Sequence, residues 1–391
     1  MHEYLRQSGC LFSFYVSRDC CARRRPSLWI SREQPRRDTL ESMLLKENQP
    51  LAPLTTLGVG GCARWFVEAS TEHEIAEAVA WAADRKVDLF VLGGGSNLVI
   101  ADAGFDGLVL KIGIPGLELL HKEDGTKLHA GSGVEWEDCV NRAIAANCAG
   151  IECLAGIPGT VGGTPVQNVG AYGQEVAAVI DRVRVYDRRE RVFVELSADE
   201  CGFAYRRSRF NTGDRWRFIV TRVDYRLTRD GAPTIRYADL ERALADRHPE
   251  GAPPSLAEVA AAVRRIRQSK GMLIVDGDPN CRSAGSFFKN AVVTEDLFQK
   301  VAARSAAAPP KFPANDPGLV KIPAAWLIEH AGFGKGYSLG AAGISSKHTL
   351  ALINRGGVKA AEIVALAERI HEAVEAKFGI ALEMEPERVG F

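Results

Sequence analysis

The chain has 391 residues, enough for two or three domains with cores of their own. Its 46% hydrophobic and 25% charged content is that of an ordinary globular protein, which argues against a disordered or fibrous chain. Lys+Arg and Asp+Glu balance at 49 each, so no global field draws it to nucleic acid, and no apolar run approaches the ~20 residues of a membrane helix.

Residues 1–42 differ from the rest of the chain. They hold Cys10, Cys20 and Cys21 of the nine cysteines, together with Arg23, Arg24, Arg25, Arg36 and Arg37. Their apolar stretch, residues 10–16, does not lead into the small-residue cleavage site of a signal peptide. The expectation is a disordered extension, or a start placed upstream of a natural one at Met43. No CxxC pair with metal spacing occurs, so the sequence predicts reduced cysteines, no metal and a cytoplasmic protein.

From about residue 60 strands and helices alternate. A strand is expected over 64–69. Thr71 and Glu74 then form a capping box that opens a helix with Ile75, Val79 and Ala82 on one face. Residues 88–92 read as a buried strand running into Gly93-Gly94-Gly95-Ser96-Asn97. Strands are expected next at 107–112 and 127–131, then a helix at 135–147. Further on the pattern turns to period two, with Val183/Val185, Val192/Val194 and Val223/Tyr225/Leu227 alternating with polar positions, as in half-solvated antiparallel strands. Residues 229–233 and 249–254 are rich in Gly and Pro, and the main domain boundary is expected between them. Ser255 and Glu258 cap another helix, and a Pro-rich loop spans 308–317. A last helix over 360–378 stops at Gly379, and 380–385 alternates as a strand that would put Glu383, Glu385 and Glu387 on one face.

Residues 93–97 follow a strand but precede Leu98-Val99-Ile100, which does not open an amphipathic helix, so this is not a Rossmann fingerprint. Three successive glycines allow a nest of N–H groups around a phosphate, or simply a tight turn. Residues 156–173 hold six glycines in eighteen positions and few charges. Such a segment either wraps a flat cofactor, with Gln167 and Asn168 reading ring heteroatoms, or lies buried between sheets. Residues 201–210 are basic and aromatic; Arg206 suits bidentate carboxylate capture, although a solvated basic loop reads the same way. Ser286 has no nucleophile elbow around it, which leaves a proton donor or a cap. A hydroxyl donor works only toward a strongly basic recipient such as an enolate. Glu387 reads as an acidic or electrostatic partner, or as a surface residue.

In this order and spacing the motifs resemble the UDP-N-acetylenolpyruvoylglucosamine reductase family over about residues 44–391. The matching segments are Leu54-Thr55-Thr56-Leu57-Gly58-Val59-Gly60-Gly61, the 93–97 loop, residues 157–163 and 167–173, Tyr205-Arg206 and residues 284–290. Gly340-Ala341-Ala342, Lys347-His348 and Glu385-Pro386-Glu387 complete the set. Two features depart from the family pattern: Ala291 stands where proline usually follows Lys-Asn, and the segment between Lys270 and Ser286 is long.

The resemblance implies an α+β fold, with a two-lobed PCMH-type (vanillyl-alcohol-oxidase-like) FAD-binding domain over 43–230. A smaller α+β substrate-binding domain over 250–391 would send its last strand back toward the flavin site. It implies non-covalent FAD, because Ser96-Asn97 replaces the histidine common where the flavin is covalent. FAD would lie on Gly93, Gly94, Gly95, Ser96, Asn97, Ile157, Pro158, Gly159, Thr160, Gly162, Gly163, Gln167, Asn168, Ala171, Tyr172 and Gly173. NADPH would be the co-substrate, and UDP-N-acetylglucosamine-enolpyruvate the substrate of a monomer that binds neither nucleic acid nor membrane. Arg206 would polarise the enolpyruvyl carboxylate, Ser286 would donate the proton and Glu387 would complete the catalytic group. Tyr205 would line the pocket, Lys270 and Asn290 would hold the diphosphate, and Tyr237 would close over it. A sugar or hydroxy-acid oxidase of the same fold, and a catalytically silent nucleotide-sugar-binding protein, are the alternative readings.

Overall fold

The structure, a computed structural model, describes residues 40, 43–122, 125–245, 253–305, 307–314 and 316–391. Apart from Leu40, the expected 1–42 extension lies outside the described residues.

The first lobe is a four-stranded sheet in the order Lys46–Pro50, Cys62–Ala69, Phe105–Ile112, Asp88–Leu92. Its last three strands are parallel and therefore need crossovers, one of which is the helix Glu72–Arg85. The Thr71 hydroxyl and the Glu74 side chain satisfy each other's backbone N–H at the start of that helix, as the spacing predicts. Ile75, Ala78, Val79 and Ala82 pack on one face of the sheet; Leu51, Phe66, Phe90 and Val109 pack on the other. Burial on both faces explains why Asp88–Leu92 is apolar without alternation.

The second lobe is antiparallel, in the order Val192–Ser197, Ile180–Asp187, Phe218–Arg229, Gly125–Gly131, Leu117–Lys122. Here Val183, Val185, Val223 and Tyr225 are fully buried as the period-two pattern predicts, whereas Val192, on the edge strand, is 47% exposed and Val194 only half-buried. The helix Trp136–Ala145 covers this core; its Trp136 ring lies 5.7 Å from that of Tyr225 and its Nε1 donates to the Leu154 carbonyl.

The third core gathers Phe287, Phe288, Ile344, Leu352 and the helix Ala360–Phe378, and takes in Leu57, Val59 and Val99 from the first lobe. Gly379, at φ +70°, ends the helix in the left-handed conformation expected of a C-terminal cap. Its N-terminus is closed by Asp102, whose carboxylate accepts from Ala360 N and Ala361 N at 2.8 and 3.1 Å.

Two boundaries differ from the sequence reading. The helix Leu256–Ser269 was expected in the C-terminal domain, yet Val259, Ala260, Ala262 and Val263 pack with Leu240, Leu244 and the second-lobe core. Gly and Pro mark exposed chain, whereas packing is decided by which apolar face a helix must cover. Residues 380–385 do not form one regular strand. Glu385 N and Lys289 N bond across to Phe287 O and Glu383 O, after which Glu387–Val389 changes partner and runs parallel to Leu98–Ile100. Pro386, which has no N–H, stands at the switch. Among the described residues no helix is long and apolar enough to cross a membrane.

Candidate active site

A cleft of about 800 Å³ opens where the two lobes meet the C-terminal part. Its floor lies beyond the carboxyl end of Asp88–Leu92, where open sheets that carry parallel strands usually bind ligands. Gly94 and Gly95 occur there because the chain is crowded by other backbone. A Cβ on Gly94 would stand 2.5 Å from Gly159 Cα, and one on Gly95, already at φ +65°, would stand 1.9 Å from Leu54 O. Two glycine loops are thereby packed against each other and against the 54–61 segment, whose Thr56 hydroxyl donates to Ser283 O at 2.7 Å.

This backbone wall presents donors. Among the described residues, the N–H groups of Gly94, Gly95, Ser96 and Asn97 have no hydrogen-bond partner, and Thr160 Oγ1 is buried without one. Orphaned donors at a glycine-lined concavity suit a diphosphate and a polar ring system.

Most of the residues expected at the cofactor do line the cleft: 93–97, Ile157, Pro158, Gly159, Thr160, Gly163, Gln167, Ala171 and Tyr172. Gly162, Asn168 and Gly173 stand behind that lining. Gly162 abuts Ser132 and Gly173 abuts Arg236. Asn168 spends its amide on Glu175, the Ala204 carbonyl and Ala177 N, so it braces the wall and reads no ring.

Arg206 and Ser286 line the same cleft. Arg206 occupies the third position of a four-residue turn closed by Ala204 N to Arg207 O and Arg207 N to Ala204 O, at 2.9 and 3.0 Å. Its φ of +55° is in the left-handed region, where a non-glycine residue costs about 1–2 kcal/mol. Asn168 and Asn211 clamp the carbonyls of Ala204 and Arg206 and hold that turn. Ser286 is half-buried, and its hydroxyl has no hydrogen-bond partner among the described residues.

The three terminal carboxylates part company. Glu383, 71% exposed, pairs outward with Lys289. Glu385, 10% exposed, turns into the cleft with Oε1 3.1 Å from Arg206 Nε, although the N–H is not aligned for a hydrogen bond. Burial raises the Glu385 carboxyl above its usual range, against the pull of Arg206 and Lys289. Glu387 lines the cleft and is bound by Arg215, while its N–H donates to Asn97 O at 2.9 Å.

At the far end, Lys270 Nζ lies 2.8 Å from Asp239 and faces the Tyr172 and Tyr237 rings, which cross edge-on at 5.4 Å. Burial opposes the Lys270 charge, but Asp239 and the two phenols outweigh it and raise its pKa. The long 271–285 segment is moored by Asp278 to Lys347 at 2.7 Å and by Asn280 to Ser345 and Ser346, so Lys270 keeps its place on the cleft. Asn290 accepts from Ala324 N at 3.0 Å, and Lys321 Nζ sits 4.2 Å from the centre of the Tyr205 ring.

Charged or titratable lining residues that the sequence reading did not name as site residues include Arg215, Arg267, Lys289, Lys321, His348 and Glu385. Three of these had a signal, since Lys289, His348 and Glu385 stand inside matched motifs. Arg267, 6% exposed, donates to Gly156 O and Met272 O and lies three residues before Lys270. Burial, then Lys270 and Lys335, push the His348 pKa down to about 4.

Residues 278–389 match the family described as UDP-N-acetylenolpyruvoylglucosamine reductase, C-terminal domain, and residues 63–194 match that described as FAD binding domain. The reductase of that name from Streptomyces coelicolor is 46% identical over 360 residues, covering 90% of this chain and 92% of the relative. That from Thermobifida fusca is 46% identical over 352 residues, covering 88% and 97%. The crystal structure of the Thermus caldophilus reductase aligns with a TM-score of 0.60 at 26% identity, over 89% of this chain and 98% of that one. The fold is accordingly a two-lobed PCMH-type FAD-binding domain joined to a smaller α+β domain, and the unpartnered N–H groups and the Thr160 hydroxyl of the glycine loops fit FAD. The chain belongs to the UDP-N-acetylenolpyruvoylglucosamine reductase family.

Proposed function

We infer that this chain uses NADPH and FAD to reduce UDP-N-acetylglucosamine-enolpyruvate to UDP-N-acetylmuramate, a step in building peptidoglycan precursors. The observation that carries the reading is the meeting of Arg206 and Ser286, 80 positions apart in the chain, on one cleft walled by the two glycine loops.

FAD held there would supply the hydride, gained from NADPH, that reduces the terminal vinyl carbon of the substrate. We assign FAD to the lining residues of the glycine loops, with the Thr160 hydroxyl and the 94–97 N–H groups as donors. Arg206 binds the carboxylate on which negative charge builds as that carbon is reduced. A donor preset for developing charge contributes ~3–4 kcal/mol to catalysis. Ser286 delivers its hydroxyl proton to the adjacent carbon, which is basic enough once enolate character has developed. Glu387, turned to the cleft by its bond from Arg215, completes the group. Lys270 and Asn290 take the diphosphate, Tyr205 lines the pocket beside it, and Tyr237, 43% exposed on the cleft rim, closes over the nucleotide. Closure excludes water from the reacting carbon.

The division between cofactor-binding and sugar-binding parts falls, in this reading, between residues 270 and 286. A monomer suffices, because one chain supplies every wall of the cleft. The free state of Cys62, Cys139, Cys148, Cys153, Cys201 and Cys281 supports a cytoplasmic setting.

The test is an absorption spectrum of the purified protein followed by NADPH oxidation with and without the enolpyruvyl sugar. The expected result is a yellow protein whose NADPH consumption requires that sugar. A colourless protein would instead support a silent binding protein, and turnover driven by oxygen and a sugar alcohol would support an oxidase.

A further inference from the structure

Arg206 stands where a turn of this kind usually takes glycine. In the Ala204–Arg207 turn it fills the third position at φ +55°, and a left-handed third position favours a residue without a Cβ. A long side chain kept there against that preference points to a need for what it reaches, and the backbone beneath it has to be held.

Asn211 supplies that hold with both ends of one amide. Its Nδ2 donates to Arg206 O at 3.1 Å, and its Oδ1 accepts from Ser208 N at 2.9 Å. Asn168 Nδ2 donates to Ala204 O at 3.1 Å, so the peptides on both sides of the Tyr205–Arg206 pair are fixed. Ser208 is buried, and its hydroxyl donates to Val166 O at 2.6 Å, one residue before Gln167 in the second glycine loop. The turn that presents Arg206 is thereby fastened to the loop to which FAD is assigned. Asn211 itself is half-buried and lines the cleft.

We propose that Asn211 is a positioning residue for reduction of the sugar, holding Arg206 in its left-handed conformation so that the guanidinium meets the substrate carboxylate at a fixed place relative to the flavin loop. The proposal rests on the function inferred above, and it concerns the backbone of the arginine and not its charge. Without the amide, the Arg206–Arg207 peptide is free to turn. Residue 206 then relaxes toward negative φ, and its Cβ leaves the turn in another direction. The guanidinium keeps its charge but is no longer aimed. The loss should fall on the step that depends on that aim, and a ligand without the carboxylate should not sense it.

Rapid-mixing kinetics of the FAD-loaded enzyme separate these effects. For Asn211→Ala, reoxidation by UDP-N-acetylglucosamine-enolpyruvate should slow about 30-fold at saturation, the scale of a small misplacement of reacting groups. Flavin reduction by NADPH should stay within about threefold. So should the Kd of UDP-N-acetylglucosamine, which lacks the enolpyruvyl carboxylate. Asn211→Asp keeps an acceptor for Ser208 N but sets an oxygen against Arg206 O, so it should slow reoxidation at least as much. It carries the test if the alanine variant fails to fold or loses its flavin. In an Arg206→Gln background, either change at 211 should add less than about threefold. Unchanged reoxidation, equal slowing of both half-reactions, or full additivity with Arg206→Gln would each overturn the proposal. If the wild type itself were not reoxidised by the sugar, the inferred function would fail first, which keeps the two failures apart.

Discussion

The two walls of the cleft are built on opposite principles. The glycine-loop wall works through backbone: small residues, positive φ and unpartnered N–H groups, with side chains such as Asn168 used up in bracing. The rest of the lining works through charged and hydroxyl side chains, namely Arg206, Ser286, Glu385 and Glu387, drawn from separate segments of the chain. The backbone wall tolerates no added atom where chain meets chain, whereas the side-chain wall tolerates changes of shape but not of charge or proton inventory. Cofactor retention should therefore fail on one side and chemistry on the other.

Gly95→Ala is the most severe way to challenge that contrast. The new Cβ would overlap the Leu54 carbonyl and hold alanine at a positive φ, costing about 3 kcal/mol or more. The expected outcome is loss of bound flavin and a lower Tm, read by absorption and thermal denaturation. Gly213→Ala, outside the cleft lining, is the matching control, since its Cβ would meet nothing within 4 Å, and it should leave Tm nearly unchanged. If both variants behaved alike, crowding would not be the reason for the glycines.

Ser286→Ala examines the other wall. Flavin and stability should be retained, and reduction by NADPH should be nearly normal. Reoxidation by the enolpyruvyl sugar should fall by roughly 10²–10⁴-fold, the usual range for a lost proton donor. Equal loss in both half-reactions would remove the serine from that role.

The mildest effect concerns His348, a base held neutral at the cationic corner. Its folded pKa, about 4, lies below the ~6.5 of an unfolded histidine, so the unfolded chain takes the proton first. The stability this provides is complete above about pH 6.5 and is lost as pH falls toward 4. His348→Gln should flatten that part of the stability curve, as measured by urea unfolding at a series of pH values. An unchanged slope would mean that another group titrates there.

Much of this was open to reading from the chain alone, for reasons that can be stated residue by residue. The Thr71–Glu74 box and the Gly379 stop are local, so they were legible without knowing the fold. Alternation at Val183, Val185, Val223 and Tyr225 was legible because a sheet with one buried face imprints period two on its strands. The helix Leu256–Ser269 was legible as a helix, but its allegiance to the second lobe was not, since an apolar stripe does not say which partner will cover it.

The candidate site divides in the same way. Gly93, Arg206 and Ser286 stood out because their residue types are unusual in sequence and needed no knowledge of neighbours. The parting of Glu383, Glu385 and Glu387 could not be read, because they share one parity and only the exchange of partners at Pro386 sends them in three directions. Nor does anything local join Arg215 to Glu387 across 172 positions. The order of residues was enough to set the local elements, the glycine turns and the chemical types on offer, since these depend on neighbours a few positions apart. Which charges meet was settled by the packed fold, because a long-range contact follows from how separately formed elements bring their apolar faces together.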